Sequence, residues 1–81
     1  MKNGLIVDEY RIKCWYKNDK LHRKNGPAIE CVDGHKEWYL NGELHRENGP
    51  AIEFTNGDKS WWLNGKAYSK KEYEIEIQNR S

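Results

Sequence analysis

An internal repeat constrains this chain more than any other feature. Residues 15–37 read WYKNDKLHRKNGPAIECVDGHKE and residues 38–60 read WYLNGELHRENGPAIEFTNGDKS; they align without a gap and agree at 14 of 23 positions. A third copy opens at Trp61 with WWLNGKAYS and then diverges. At the other end Gly4-Leu5-Ile6 aligns with Pro27-Ala28-Ile29, and Lys13 with Lys36. The chain therefore reads as one domain over 1–81: half-unit 4–14, units 15–37 and 38–60, half-unit 61–68 and a terminal cap 69–81. Atypical ends suit a short stack, because the outer units face water.

Each unit reads as two tight hairpins. Asn41-Gly42 and Asn64-Gly65 are flanked by β-type residues, and so are Asp33-Gly34 and Asn56-Gly57. Such dipeptides favour type I′ turns, in which both central residues have positive φ. Asn18-Asp19 holds the same place in the first unit. Asn25-Gly26-Pro27 and Asn48-Gly49-Pro50 close each LHR segment, and Gly is expected there at positive φ. The pattern predicts an all-β fold of consecutive antiparallel hairpins in a single-layer sheet. Two-residue turns would set Ile29 opposite Trp38, Glu30 opposite Glu37, Ile52 opposite Trp61 and Val32 opposite His35. Around Asn41-Gly42 they would set Tyr39 opposite Leu44 and Trp38 opposite His45, with Trp61 opposite Tyr68 in the last copy. One face would then carry Ile29, Trp38 and His45. The other would carry Ala28, Glu30, Glu37, Tyr39, Leu44 and Arg46.

Charged residues make up 33% of the chain and hydrophobic ones 36%, a balance that by itself allows disorder. Four Trp, five Tyr and one Phe argue for a folded core, because each ring buries about 150–250 Å². That core must be thin at this length. The net charge of +1 gives no strong field toward DNA or anionic lipid. No apolar run reaches the ~20 residues of a membrane span, and no signal-peptide pattern is present. Cys14 and Cys31 lie outside any C-x-x-C spacing and read as free thiols of a reducing compartment, so a cytoplasmic setting is expected.

The tail carries two signals. Ser69-Lys70-Lys71-Glu72 is a capping-box pattern that starts a helix. Tyr73, Ile75 and Ile77 alternate with Glu72, Glu74 and Glu76, which is strand period. The spacing of Tyr73 and Ile77 tips the reading toward a short helical cap, with a strand as the alternative.

The 23-residue period, the N-G turns and the short glycine-spaced strands resemble the MORN repeat superfamily, above all its antitoxin-type relatives. The variant W-Y-x-N-G-x-L-H-R-x-x-G-P-A-x-E is similar to repeats in small proteins of bacteriophages and large DNA viruses. The resemblance covers residues 14–68. Trp38-Tyr39-Leu40 stands where the standard MORN strand has aromatic-x-G-x-aromatic. The resemblance implies a row of β-hairpins that binds other proteins, with no catalytic residues. It further implies an accessory protein of phage type that binds and inhibits a host protein, a defence factor among the candidates.

No residue set has triad spacing or calls for a cofactor. His22 and His45 recur, but metal binding needs about four convergent ligands; packing edge-on against Trp15 and Trp38 is the plainer role. Glu30, Glu53 and Glu37 invite either acid–base chemistry or a ladder with Arg23 and Arg46. Trp15, Trp38 and Trp61 read as an internal stack. Trp62 breaks the repeat, replacing Tyr39, and is either an exposed anchor or a cap. Lys17, Lys20, His22, Arg23 and Lys24 form a basic run that could track a phosphate backbone while Tyr16 stacks on a base, or simply a solvated surface. The first reading is thus a non-enzymatic protein-binding module, with Trp62, Arg23 and Arg46 as contacts and Lys17, Lys20 and Lys24 behind them. The alternative is a nucleic-acid or nucleotide binder. Self-association through end faces or edge strands is open to any short stack.

Overall fold

In a computed structural model that describes residues 1–80, ten strands precede one helix. They are β1 (Gly4–Val7), β2 (Lys13–Lys17), β3 (Lys20–Leu21), β4 (Ile29–Glu30), β5 (Lys36–Glu37), β6 (Tyr39–Leu40), β7 (Glu43–Leu44), β8 (Ile52–Glu53), β9 (Lys59–Leu63) and β10 (Lys66–Tyr68), followed by α1 (Lys70–Arg80). The fold is an antiparallel single-layer sheet in the order β1-β2-β4-β5-β8-β9-β10, with β3 also paired to β2 and β6-β7 as a separate hairpin. The hairpins are joined to one another by backbone bonds. Arg23 N–H donates to Tyr39 O at 3.1 Å and Arg46 N–H to Trp62 O at 3.2 Å. Gly42 N–H donates to Leu21 O at 2.8 Å, and Gly65 N–H to Leu44 O at 2.9 Å.

The N-G turns are of the expected type. Asn41 and Gly42 lie at φ 52° and 83°, and Asn64 and Gly65 at 51° and 79°. Asn18 and Asp19 keep the same conformation at 51° and 67° without a glycine. Tyr39 pairs with Leu44, and Trp61 with Tyr68.

The D-G and second N-G loops differ from expectation. Gly34 is at φ 99° and Gly57 at 94°, but Asp33 and Asn56 are not left-handed. Cys31 N–H donates to His35 O at 2.9 Å, and Gly34 N–H returns to Cys31 O at 3.1 Å. This is a three-residue loop ending in a glycine bulge. The extra residue moves every pair by one. Ile29 is opposite Glu37, not Trp38; Glu30 is opposite Lys36, not Glu37; Ile52 is opposite Ser60, not Trp61; and Cys31, not Val32, meets His35. A like-charged Glu–Glu pair is thereby replaced by Glu–Lys.

The half-unit at the N-terminus uses the same loop. Asp8 N–H donates to Ile12 O at 3.2 Å and Arg11 N–H to Asp8 O at 3.0 Å, with Arg11 at φ 64° in the glycine's place. Ile6↔Cys14, Ile29↔Glu37 and Ile52↔Ser60 are consequently one register three times.

The shift also reassigns the faces, since paired residues share a side and neighbours alternate. Trp15, Trp38 and Trp61 lie on one side with Ala28 and Ala51, both fully buried. Ile6, Ile29 and Ile52 lie on the other, with Tyr16, Tyr39 and Trp62.

The helix closes the Trp side at the end of the array. Its capping box is complete: Glu72 N–H donates to Ser69 Oγ at 3.1 Å and Ser69 N–H to Glu72 Oε1 at 3.0 Å. The Ser69 N–H, then the Ser69 hydroxyl, hold the Glu72 carboxyl below its usual range. The helix puts Tyr73, 5% exposed, 6.5 Å from the Trp61 ring. The expected cap 69–81 is thus helical to Arg80, and its last residue, Ser81, lies outside the described residues.

Candidate functional site

The two copies share the segment R-x-x-G-P, residues 23–27 and 46–50. Each follows a short strand and folds back over the Trp side. Its arginine sits over a tryptophan: Arg23 Cζ is 3.7 Å from the Trp15 ring centroid, and Arg46 Cζ 3.8 Å from that of Trp38. Arg23 Nη1 donates to Pro27 O at 3.1 Å and to Glu30 Oε2 at 2.8 Å. Arg46 Nη1 donates to Pro50 O at 3.1 Å and to Glu53 Oε2 at 3.0 Å. The arginine–glutamate ladder is real, but these arginines are half-buried in it and not free contacts. The third copy has Ser69 at the arginine's place, and Tyr73 covers Trp61 instead. What lies on each Trp ring is therefore an arginine or a tyrosine, not the next Trp.

The glycine of the segment has a different duty from the one expected. Neither Gly26 nor Gly49 is at positive φ. A Cβ at Gly26 would stand 3.1 Å from Arg23 Cζ, and at Gly49 2.8 Å from Arg46 Cζ. A Cβ at either place would press on the guanidinium, which would have to shift off its position on the Trp ring.

Between the two segments lies an open groove of about 660 Å³. Half-buried Trp38 and Leu40 line it together with Arg23, Lys24, Asn25 and Gly26 of the first segment and His45, Arg46, Glu47 and Asn48 at the second. The walls are mixed in charge. Lys24 and Glu47 are exposed, while the guanidinium charges are balanced by Glu30 and Glu53.

The histidines fix the spacing of the walls. His22 Nδ1 accepts the Asn41 N–H at 2.9 Å, and His45 Nδ1 accepts the Asn64 N–H at 2.9 Å. Each therefore holds the next unit's turn and does not pack edge-on against a Trp. His45 Nε2 is 2.8 Å from Glu47 Oε2, which fixes Nε2 as the protonated nitrogen. Burial, then Lys17 and Lys24, pull His22 below its ordinary value.

The sequence-named residues divide among three places. Arg23, Lys24 and Arg46 line the groove. Lys17 pairs with Lys20 at the tip of the first hairpin, where the Lys20 stem lies against Gly42. Trp62 is on the opposite side of the sheet, half-buried, its Nε1–H donating to Ser60 Oγ at 2.7 Å. It replaces a Tyr39–Glu37 bond of 2.8 Å, and Ala67 opposite it replaces Leu44. The larger ring is thus matched by two smaller neighbours. Asn25, Leu40, Glu47 and Asn48 belong to the groove and were not singled out from the sequence. The recurrence of R-x-x-G-P was the signal for Asn25, Glu47 and Asn48; Leu40 lies outside it.

Other chemistry finds few supports. One face of Trp15 and one of Trp38 are taken by Arg23 and Arg46, and Tyr16 carries Lys2 Nζ 5.0 Å from its centroid. Among the described residues, no group of three or more His, Cys, Asp or Glu is placed to hold a metal ion. Cys14 and Cys31 are unpaired, and burial raises both thiols above the ordinary value. Among the described residues, no helix is long and apolar enough to cross a membrane. No protein-family model, curated protein or solved structure matches the chain.

Proposed function

We propose that the protein is a non-enzymatic binding module that holds an extended segment of a partner protein in the groove between residues 23–26 and 46–48. The groove itself carries this reading: half-buried Trp38 and Leu40 line it beside exposed Lys24, Asn25, Glu47 and Asn48. An apolar centre within a polar, mixed-charge rim is the usual anatomy of a protein interface. A phosphate-binding surface would instead present unbalanced cations, and both groove arginines are paired. The resemblance to phage-type repeats makes the partner a host protein and inhibition the role.

A photo-crosslinking residue at Asn25, on the rim, tests this against one at Thr55, an exposed turn position outside the groove. In bacterial lysate, Asn25 should give polypeptide adducts that persist after nuclease treatment and at raised salt. Lys24→Glu should weaken capture while changing stability by no more than about 0.5 kcal/mol. Adducts lost on nuclease treatment, or equal yields from Asn25 and Thr55, would overturn the proposal.

A further inference from the structure

The second R-x-x-G-P segment already holds a side chain, and that side chain comes from the protein itself. The hydroxyl of Tyr73 in α1 donates to Arg46 O and accepts the Gly49 N–H at 3.2 Å. Its ring lies 6.5 Å from that of Trp61 and is almost wholly buried. The first segment offers the same two backbone groups 23 residues earlier, Arg23 O and the Gly26 N–H, with Trp38 in the place of Trp61. The two segments are folded alike: each arginine N–H donates to the following unit's strand, and each Nη1 donates to the segment's proline carbonyl and to the glutamate beyond it. Among the described residues, no hydrogen bond reaches Arg23 O or the Gly26 N–H. Arg23, Gly26 and Trp38 all line the groove.

We infer that the partner segment seats a tyrosine in the groove, its hydroxyl bonded to Arg23 O and the Gly26 N–H as Tyr73 is bonded to Arg46 O and the Gly49 N–H. The inference rests on the groove reading above and names the side chain that the groove takes. Burial differs between the two places as it should between a filled and an open site. Leu63, in β9 against α1, is 1% exposed, whereas its counterpart Leu40 in the groove is half-buried.

The chemistry of the open groups selects the occupant. One hydroxyl is both donor and acceptor, so it can satisfy the carbonyl and the N–H together. A serine or threonine could make both bonds, but it brings no ring to cover Leu40. A phenylalanine would cover Leu40 and leave two backbone polar groups shut away from water without partners, a costly outcome. Tyrosine joins an apolar ring to a polar tip and meets both demands. The groove also holds Arg46 where the third copy has Ser69. An entering ring therefore meets a guanidinium, a group that aromatic faces attract.

Nuclear magnetic resonance of the isotope-labelled protein, titrated with N-acetyl-tyrosinamide, tests this without any substitution. The Gly26 amide and the Trp38 indole signals should shift and saturate, and the Gly49 amide, already bonded to Tyr73, should move far less. N-acetyl-phenylalaninamide should bind at least about tenfold more weakly, because a site built for a hydroxyl rejects the analogue that lacks it. Peptides selected on the whole protein from a random display library should carry a tyrosine, and changing it to phenylalanine should likewise weaken binding at least about tenfold. Equal binding of the two amides, shifts that miss Gly26, or selected peptides indifferent to the tyrosine hydroxyl would overturn the inference. If polypeptide adducts still form from Asn25 in that case, the groove proposal stands without it. Tyrosinamide binding at Gly26 with no polypeptide adducts from Asn25 would mark a site for a free phenol and overturn both.

Discussion

A single arginine in each full unit does three jobs, and its neighbours are chosen around it. Arg46 covers Trp38, neutralises Glu53 and tethers the loop through Pro50 O. Gly49 gives it room. Gly49→Ala should therefore destabilise the fold by about 1–3 kcal/mol, the usual range for overpacking. Gly26→Ala should cost less, since its Cβ would stand 3.1 Å from the guanidinium carbon and not 2.8 Å. Urea titration of the two variants checks both the sign and the order. Tyr39 gives a second residue-scale test. Burial, then the bond to Glu37 and its charge, push the Tyr39 phenol up to about 12 from 10.0. The folded state therefore favours the neutral phenol. Its contribution is whole below pH 10 and is lost as pH rises toward 12. Tyr39→Phe should flatten the loss of stability between those values, and absorbance titration should lose its latest-ionising tyrosine; an unchanged profile would contradict the buried bond.

At the scale of elements, loops were harder to read than strands. Asn41-Gly42 and Asp33-Gly34 look alike in sequence, yet the first is a two-residue turn and the second ends a three-residue loop. Both need a left-handed glycine. They differ only in whether the preceding residue is left-handed too, and Asn and Asp tolerate either state. The first copy of that loop was harder still, because Arg11 occupies the glycine's position at φ 64°. Arg11→Gly should raise stability by about 1 kcal/mol, the cost of a left-handed non-glycine residue; a loss measured in urea would mean Arg11 makes a contact that offsets it. The helix was legible because a capping box states its start locally. Ser69→Ala should cost about 1 kcal/mol through loss of the Glu72 N–H acceptor, visible in thermal unfolding. Half of the site was legible as well: Arg23, Lys24 and Arg46 line the groove, but Lys17 and Lys20 lie outside it, and so does Trp62, which stood out because it breaks the repeat at the end of the array. Its side of the sheet depends on a register that sequence spacing could not supply.

For the whole molecule, that register decides the function of each surface. One added residue in the loops around Gly34 and Gly57 puts the isoleucines opposite the tryptophans' side of the sheet. The Trp side is then closed by arginines, loops and Tyr73, leaving the groove, while the isoleucine side stays open. With two-residue loops, Ile29 and Trp38 would share a face, and the groove would not exist as described. Nuclear Overhauser contacts in the labelled protein test this directly. Ile29 should show cross-strand contacts to Glu37, and Ile52 to Ser60, as the pairing requires. Direct Ile29–Trp38 and Ile52–Trp61 cross-strand contacts in their place would contradict the register and both surfaces built on it.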